Sequence, residues 1–248
     1  MSEREWTLAG LEFRILMERS GRDRLPFPLQ FRPNVDSAAD YHRQRHQANT
    51  RATDISDADL RTAFHVIVEP DYRIEMVGHT RTGSGYTKLR AHAAVRHDLG
   101  VVLLQQPGVD DATGGDVAVR LVEYHRAPGL VLASLPACGA GRQRRLDVRR
   151  PVGDSQNRLL RTATRTTDEE QFELLLGRER SSAGEILVCP GSSVDGRPDD
   201  TTIGFQWVDV AGDGRYIVLH GSTVSIVPAA VDELVSEVRR AIDAAGVT

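Results

Sequence analysis

The chain has 248 residues, 40 % hydrophobic and 27 % charged, with a formal net charge of −4 at pH 7. This is the balance of a folded protein with material for one large core or two modest ones, and its acidic sign argues against a nucleic-acid partner. No apolar run approaches the roughly 20 residues that span a bilayer, and MSEREWTLAG lacks a signal peptide's apolar core, so no membrane insertion is expected and the expected compartment is the cytoplasm.

Thr7 can cap a helix whose apolar positions Leu8, Leu11, Ile15 and Leu16 recur near the helical period, ending before Gly21. LPFPL then forbids helix and marks an extended connection. Helices are predicted from about 36 to 49 and from about 57 to 68, each opened by an aspartate. Four strands follow, in DYRIEMVGH, TKLRAHAAV, GVVLLQQ and GDVAVRLV, then a helix around 127–135. After the arginine-rich GRQRRLDVRRP, with Arg142, Arg144, Arg145, Arg149 and Arg150, the order recurs. DEEQFELLLG reads as helix, and GEILVCP, IGFQWVDV, RYIVLHG and TVSIV as strands. A closing helix carries the stripe Val231, Leu234, Val235, Val238 and Ile242. The recurrence predicts an α+β fold in which two antiparallel half-sheets, from about 1–140 and 151–248, lie side by side, joined by the arginine-rich stretch as a solvated linker.

Candidate chemistry is sparse. DVAGDGRYIV could open a calcium loop, but Ala211 stands at the third ligand position and His220 at the twelfth. A hairpin turned by Asp213-Gly214 is expected instead, with no metal. His42 and His46 have zinc-ligand spacing without the glutamate a zinc protease needs, and read as a polar helix face. Gly83 and Gly85 in TRTGSGY have no helix after them to present to a phosphate, so they read as a hairpin loop. Cys138 in CGAG lacks a nucleophile signature, and both it and Cys189 read as small buried hydrophobes.

Strand phase singles out one face. Arg73 and Glu75 alternate with Tyr72, Ile74 and Met76, and Arg90 and His92 alternate with Leu89, Ala91 and Ala93. A charged face left uncovered by any predicted helix is a place for another protein to dock. Gln206 holds the polar phase of its strand, between Phe205 and Trp207, and Val208 shares that phase as an apolar anchor.

The stretches LEFRILMERSGRDRLPFPL, EPDYRIEMVGHTR, RAHAAVR and DVAGDGRYIV, with a terminal VPAAVDELVSEVRRAI, resemble the EspG family of ESX, or type VII, secretion-associated proteins, in order and over nearly the whole chain. The resemblance implies a central antiparallel sheet with a quasi-twofold internal repeat, flanked by helical bundles. It implies a non-enzymatic cytosolic chaperone, without cofactor, that binds the helical tip of the PPE subunit in a PE–PPE heterodimer. Such a chaperone keeps the tip soluble and directs it to its secretion system. Arg73, Glu75, Arg90, His92, Gln206 and Val208 are then the expected partner-binding residues. The identity of the PE–PPE pair and self-association stay open. The alternative is a small-molecule-binding or metal-dependent enzyme that uses Glu75, His92 or Cys138 on the charged face.

Overall fold

In the computed structural model, which describes residues 3–83, 85–149, 167–192 and 201–247, the two groups of alternating segments join edge to edge in one ten-stranded sheet. In chain order the strands are β1 (Arg4–Leu8), β2 (Tyr72–Thr82), β3 (Gly85–Arg96), β4 (Leu99–Pro107), β5 (Gly114–Glu123), β6 (Leu146–Arg149), β7 (Arg180–Pro190), β8 (Ile203–Val210), β9 (Gly214–His220) and β10 (Thr223–Pro228). Every named pair is antiparallel, and the spatial order is β1-β5-β4-β3-β2-β7-β8-β9-β10-β6. Each half is therefore a four-strand meander whose last strand is flanked by a short strand from the start of that half, and the meanders meet at β2–β7. The likeness between the halves is one of connectivity.

Helices α1 (Gly10–Arg19) and α3 (Ala58–Val68) cover the first half of one face, the front, and share a core with Val101, Leu103, Val119 and Leu121. Outside α1 lies α2 (Ala38–Asp54), which buries the small residues Ala48 and Ala52 in the core and packs Tyr41 against it. Over the second half of the front, α5 (Thr167–Leu176) sets Leu175 among Val208, Val210, Tyr216 and Val218. The back is covered by α4 (Ala127–Leu132) and α6 (Val231–Ala244), packed on each other and on the central strands. Here Trp207 lies across the paired Gly78 and Gly184: a Cβ on either would stand 2.5 or 2.1 Å from the indole ring, so neither position accepts a side chain.

Four expectations are corrected. Thr7 caps no helix: REWTL is a strand on the open edge of β5, with Leu8 buried, and α1 begins at Gly10 after the Ala9 N–H donates to the Glu12 carboxylate (2.9 Å). The second helix is capped by the Ser37 hydroxyl rather than an aspartate and runs five residues further than expected, to Asp54. The arginine-rich stretch is not purely a linker, because Leu146–Arg149 forms edge strand β6 against β10; Arg150 and the expected boundary at 151 lie outside the described residues. In the β8–β9 hairpin the left-handed residue is Gly212 (φ 72°), not the Asp213-Gly214 pair. The third helix follows expectation, with the Asp57 carboxylate accepting from the Leu60 N–H at 2.7 Å.

The stripe of α6 is a core element: Leu234 and Val238 are fully buried. Leu234→Ala is expected to cost about 2–5 kcal/mol in a denaturant unfolding experiment. An unchanged midpoint would mean that α6 does not pack on the sheet.

Candidate functional site

The antiparallel register brings four of the sequence-predicted residues together on the front face. Glu75 stands opposite His92, and Arg73 and Arg90 flank that pair on the same side of β2 and β3. The expected openness is overturned, however, since Arg73, Glu75, Arg90 and His92 are each 5 % exposed or less. What covers them is the segment 22–35, neither helix nor strand, which crosses the face as a strap. The His92 Nδ1 lies 2.7 Å from the Phe27 carbonyl; a carbonyl only accepts, so Nδ1 carries the proton. The Gln105 side-chain amide makes two bonds to the backbone of Gln30, donating to its carbonyl (2.6 Å) and accepting from its N–H (2.9 Å). Arg90 donates to the Gln30 side chain at 2.9 Å and to the Asp111 carbonyl. Gln105 was missed in the sequence, although it stands in register with Arg90 at the polar end of GVVLLQQ.

Beneath the strap Arg73 donates to the Glu75 carboxylate at 2.7 Å and to the carbonyls of Pro190 and Gly191 at 3.1 and 2.7 Å. A cavity of about 280 Å³ remains there, bounded by Arg73, Glu75 and His92 below and by Leu25 and Phe27 above. Burial pushes His92 down to about 4, reinforced by the Arg73 charge and opposed by the Phe27 carbonyl. Burial raises Glu75, and its hydrogen bond to Arg73 pulls the other way. Arg73 and Glu75 are committed to each other, and Arg90 and His92 to the strap.

Among the described residues, neither the strap nor α5 covers the stretch of the front face between them. There Val77, Glu185 and Gln206 stand in one cross-strand row on β2, β7 and β8, with Leu187 and Gly204 paired in the next row. Glu185, Gly204 and Gln206 are exposed, while Val77 and Leu187 are half-buried. Gln206 thus lies where strand phase put it. Val208 shares its face but is 7 % exposed, packed with Leu175 of α5, so it is not an open apolar anchor. The window was legible as phase; its borders were not, because they are set by the strap and α5.

A family model describing the EspG family matches residues 10–240. The chain belongs to the EspG family. Its fold is similar to that of the Mycobacterium tuberculosis type VII secretion system chaperone EspG5, solved in complex with a PE25–PPE41 dimer. The TM-score is 0.59, covering 97 % of this chain and 96 % of that chain at 14 % sequence identity. No curated protein matches the chain in sequence.

In this EspG-family chain the remaining motifs have structural roles. Asp209 forms a buried two-pronged ion pair with Arg215, at 2.6 and 2.7 Å, each side chain 1 % exposed. Burial would raise Asp213, but bonds from the Arg142 N–H, the Tyr216 hydroxyl and Arg178 outweigh it and hold the carboxyl below its usual range. CGAG runs alongside Arg215, which donates its N–H to the Gly139 carbonyl and accepts from the Gly141 N–H. A Cβ at Gly141 would stand 2.0 Å from the Tyr216 ring, which explains the glycine. Cys189 is buried as expected, whereas Cys138 is half-buried, its thiol pushed up by burial and away from a reactive thiolate. His42 and His46 are exposed on α2. Among the described residues no three His, Cys, Asp or Glu side chains are grouped to hold a metal ion, and no helix is long and apolar enough to cross a membrane.

His92 also gives the fold a signature in pH. Its folded value, about 4, lies below the ordinary 6.5, so the unfolded chain binds the proton more readily. The contribution is fully present above about 6.5 and is lost as pH falls toward 4, amounting to about 3 kcal/mol across that window. Glu75, raised by burial, slopes the opposite way, so the comparison must isolate the imidazole. His92→Gln, which keeps a donor for Phe27 and cannot titrate, is expected to flatten the stability profile between pH 6.5 and 4. Equal slopes in both proteins would mean that His92 is not buried as a neutral ring.

Proposed function

We propose that this chain is a type VII secretion chaperone that binds the helical tip of the PPE subunit of a PE–PPE heterodimer in the cytosol and delivers it to its secretion system. The observation that carries the reading is the EspG-family match over residues 10–240. The fold likeness to EspG5, itself solved with a PE–PPE dimer, supports it. A helical tip ends in apolar surface that needs cover, and a sheet window with a low floor between two taller borders suits that shape. The floor consists of Val77, Leu187 and Gly204, with Gln206 able to donate and accept from its amide. Arg90 and His92 then act from beneath, fixing the strap that forms one border, and Arg73 and Glu75 pair with each other under it, rather than touching the partner. The enzyme alternative needs those charged groups to be open to a substrate, and they are buried.

The test is co-purification of the tagged chain from its own cells, with the bound chains identified by mass. A PE and a PPE chain retained together are expected. Leu187→Asp is expected to release them while shifting the melting temperature by no more than a few degrees. Retention of no PE–PPE pair would contradict the chaperone reading, and unchanged retention by Leu187→Asp would move the interface off this window.

A further inference from the structure

The window carries one side chain whose chemistry sets a demand on whatever covers it. On the front face the nearest neighbours of Glu185 are Val77 and Gln206 across the strands and Ala183 and Leu187 along its own, and none is a cation. The cations of this face are turned elsewhere. Arg90, in the same cross-strand row, donates to Gln30 and Asp111, and the His79 ring lies 3.8 Å from the Asp111 carboxylate. Lys88 is two strands away and one row further along. Among the described residues Glu185 makes neither an ion pair nor a side-chain hydrogen bond, and it is exposed.

A partner seated on the window excludes water from Glu185. A carboxylate taken out of water is costly unless paired, and no side chain of this sheet stands close enough to pair it. We propose that Glu185 is the specificity residue of the window and that it pairs with a lysine or arginine at the apex of the partner's tip. The inference rests on the chaperone reading above and names the chemistry of the partner at that site. Gln206, directly opposite in register, completes the recognition, because its amide can accept from the same cationic group or donate to a neighbouring carbonyl. A tip with an acidic apex is rejected, since like charges would meet in a desolvated site.

The experiment uses the PE–PPE dimer identified by the co-purification, re-expressed and immobilised, against the full chain and two variants at this position. Glu185→Gln keeps the shape and removes the charge; it is expected to weaken binding about tenfold, mostly through faster dissociation. Glu185→Lys is expected to weaken it about a hundredfold and to slow association, most strongly at low salt. Replacing the tip cation by glutamate is expected to restore binding to Glu185→Lys, a coupling that a loss of fold would not produce. Both variants should melt with the parent protein, because Glu185 has no partner to lose. If Glu185→Lys binds as tightly as the parent while Leu187→Asp does not bind, the cation pairing is wrong and the window stands. If the parent chain binds no PE–PPE dimer, the chaperone reading and this inference fall together.

Discussion

The structure depends on how a row of polar side chains in the middle of a sheet face is closed off from water. Arg90, His92 and Gln105 point into the front face beside Arg73 and Glu75, and each unpaired group there would cost about 1–3 kcal/mol. The strap answers with backbone groups: the Phe27 and Gln30 carbonyls accept from His92 and Gln105, and the Gln30 N–H returns a bond. The two prolines of LPFPL fit this task. Each keeps the chain out of helix and removes an N–H that would itself need a partner. The extended path they impose leaves the Phe27 and Gln30 carbonyls turned to the sheet's donors.

From that closure follow the limits of the open surface. The strap extends the cover of α1 and α3 to the middle of the sheet, while α5 covers the far end. The remaining opening lies where the two meanders meet, β2 against β7 and β7 against β8. Behind its floor the sheet is closely packed, with Trp207 pressed onto Gly78 and Gly184. A preorganised floor between two borders loses little conformational freedom when a partner docks. Arg90 and His92 hold the strap from below, and Arg73 and Glu75 pair with each other beneath it.

Local pattern made much of this legible. Alternation along DYRIEMVGH and TKLRAHAAV gave the correct faces for Arg73, Glu75, Arg90 and His92, and the polar phase of Gln206 put it in the window. The errors came from contacts between residues distant in the chain. REWTL alternates Trp6 and Leu8 but becomes a strand only because β5 offers an edge, and Leu146 and Val148 among arginines become one beside β10. Strand phase says which way a side chain points and nothing about what lies above it. Val208 has the phase of Gln206, yet α5 lies over one and not the other. The fate of the charged face was decided by fourteen residues of irregular chain, 22–35, whose path no periodicity reveals.

The central claim is that the partner sits on the front of the sheet, between strap and α5, and not in the larger groove of about 950 Å³ on the back, bordered by Tyr124, His125 and Ile242. Placing a photo-crosslinking amino acid at Gln206 and, in a separate protein, at His125 tests this most directly, with the PE–PPE dimer present and the linked chains identified by mass. A link from position 206 to the tip of the PPE chain and none from position 125 is expected. A link from position 125 alone would contradict it.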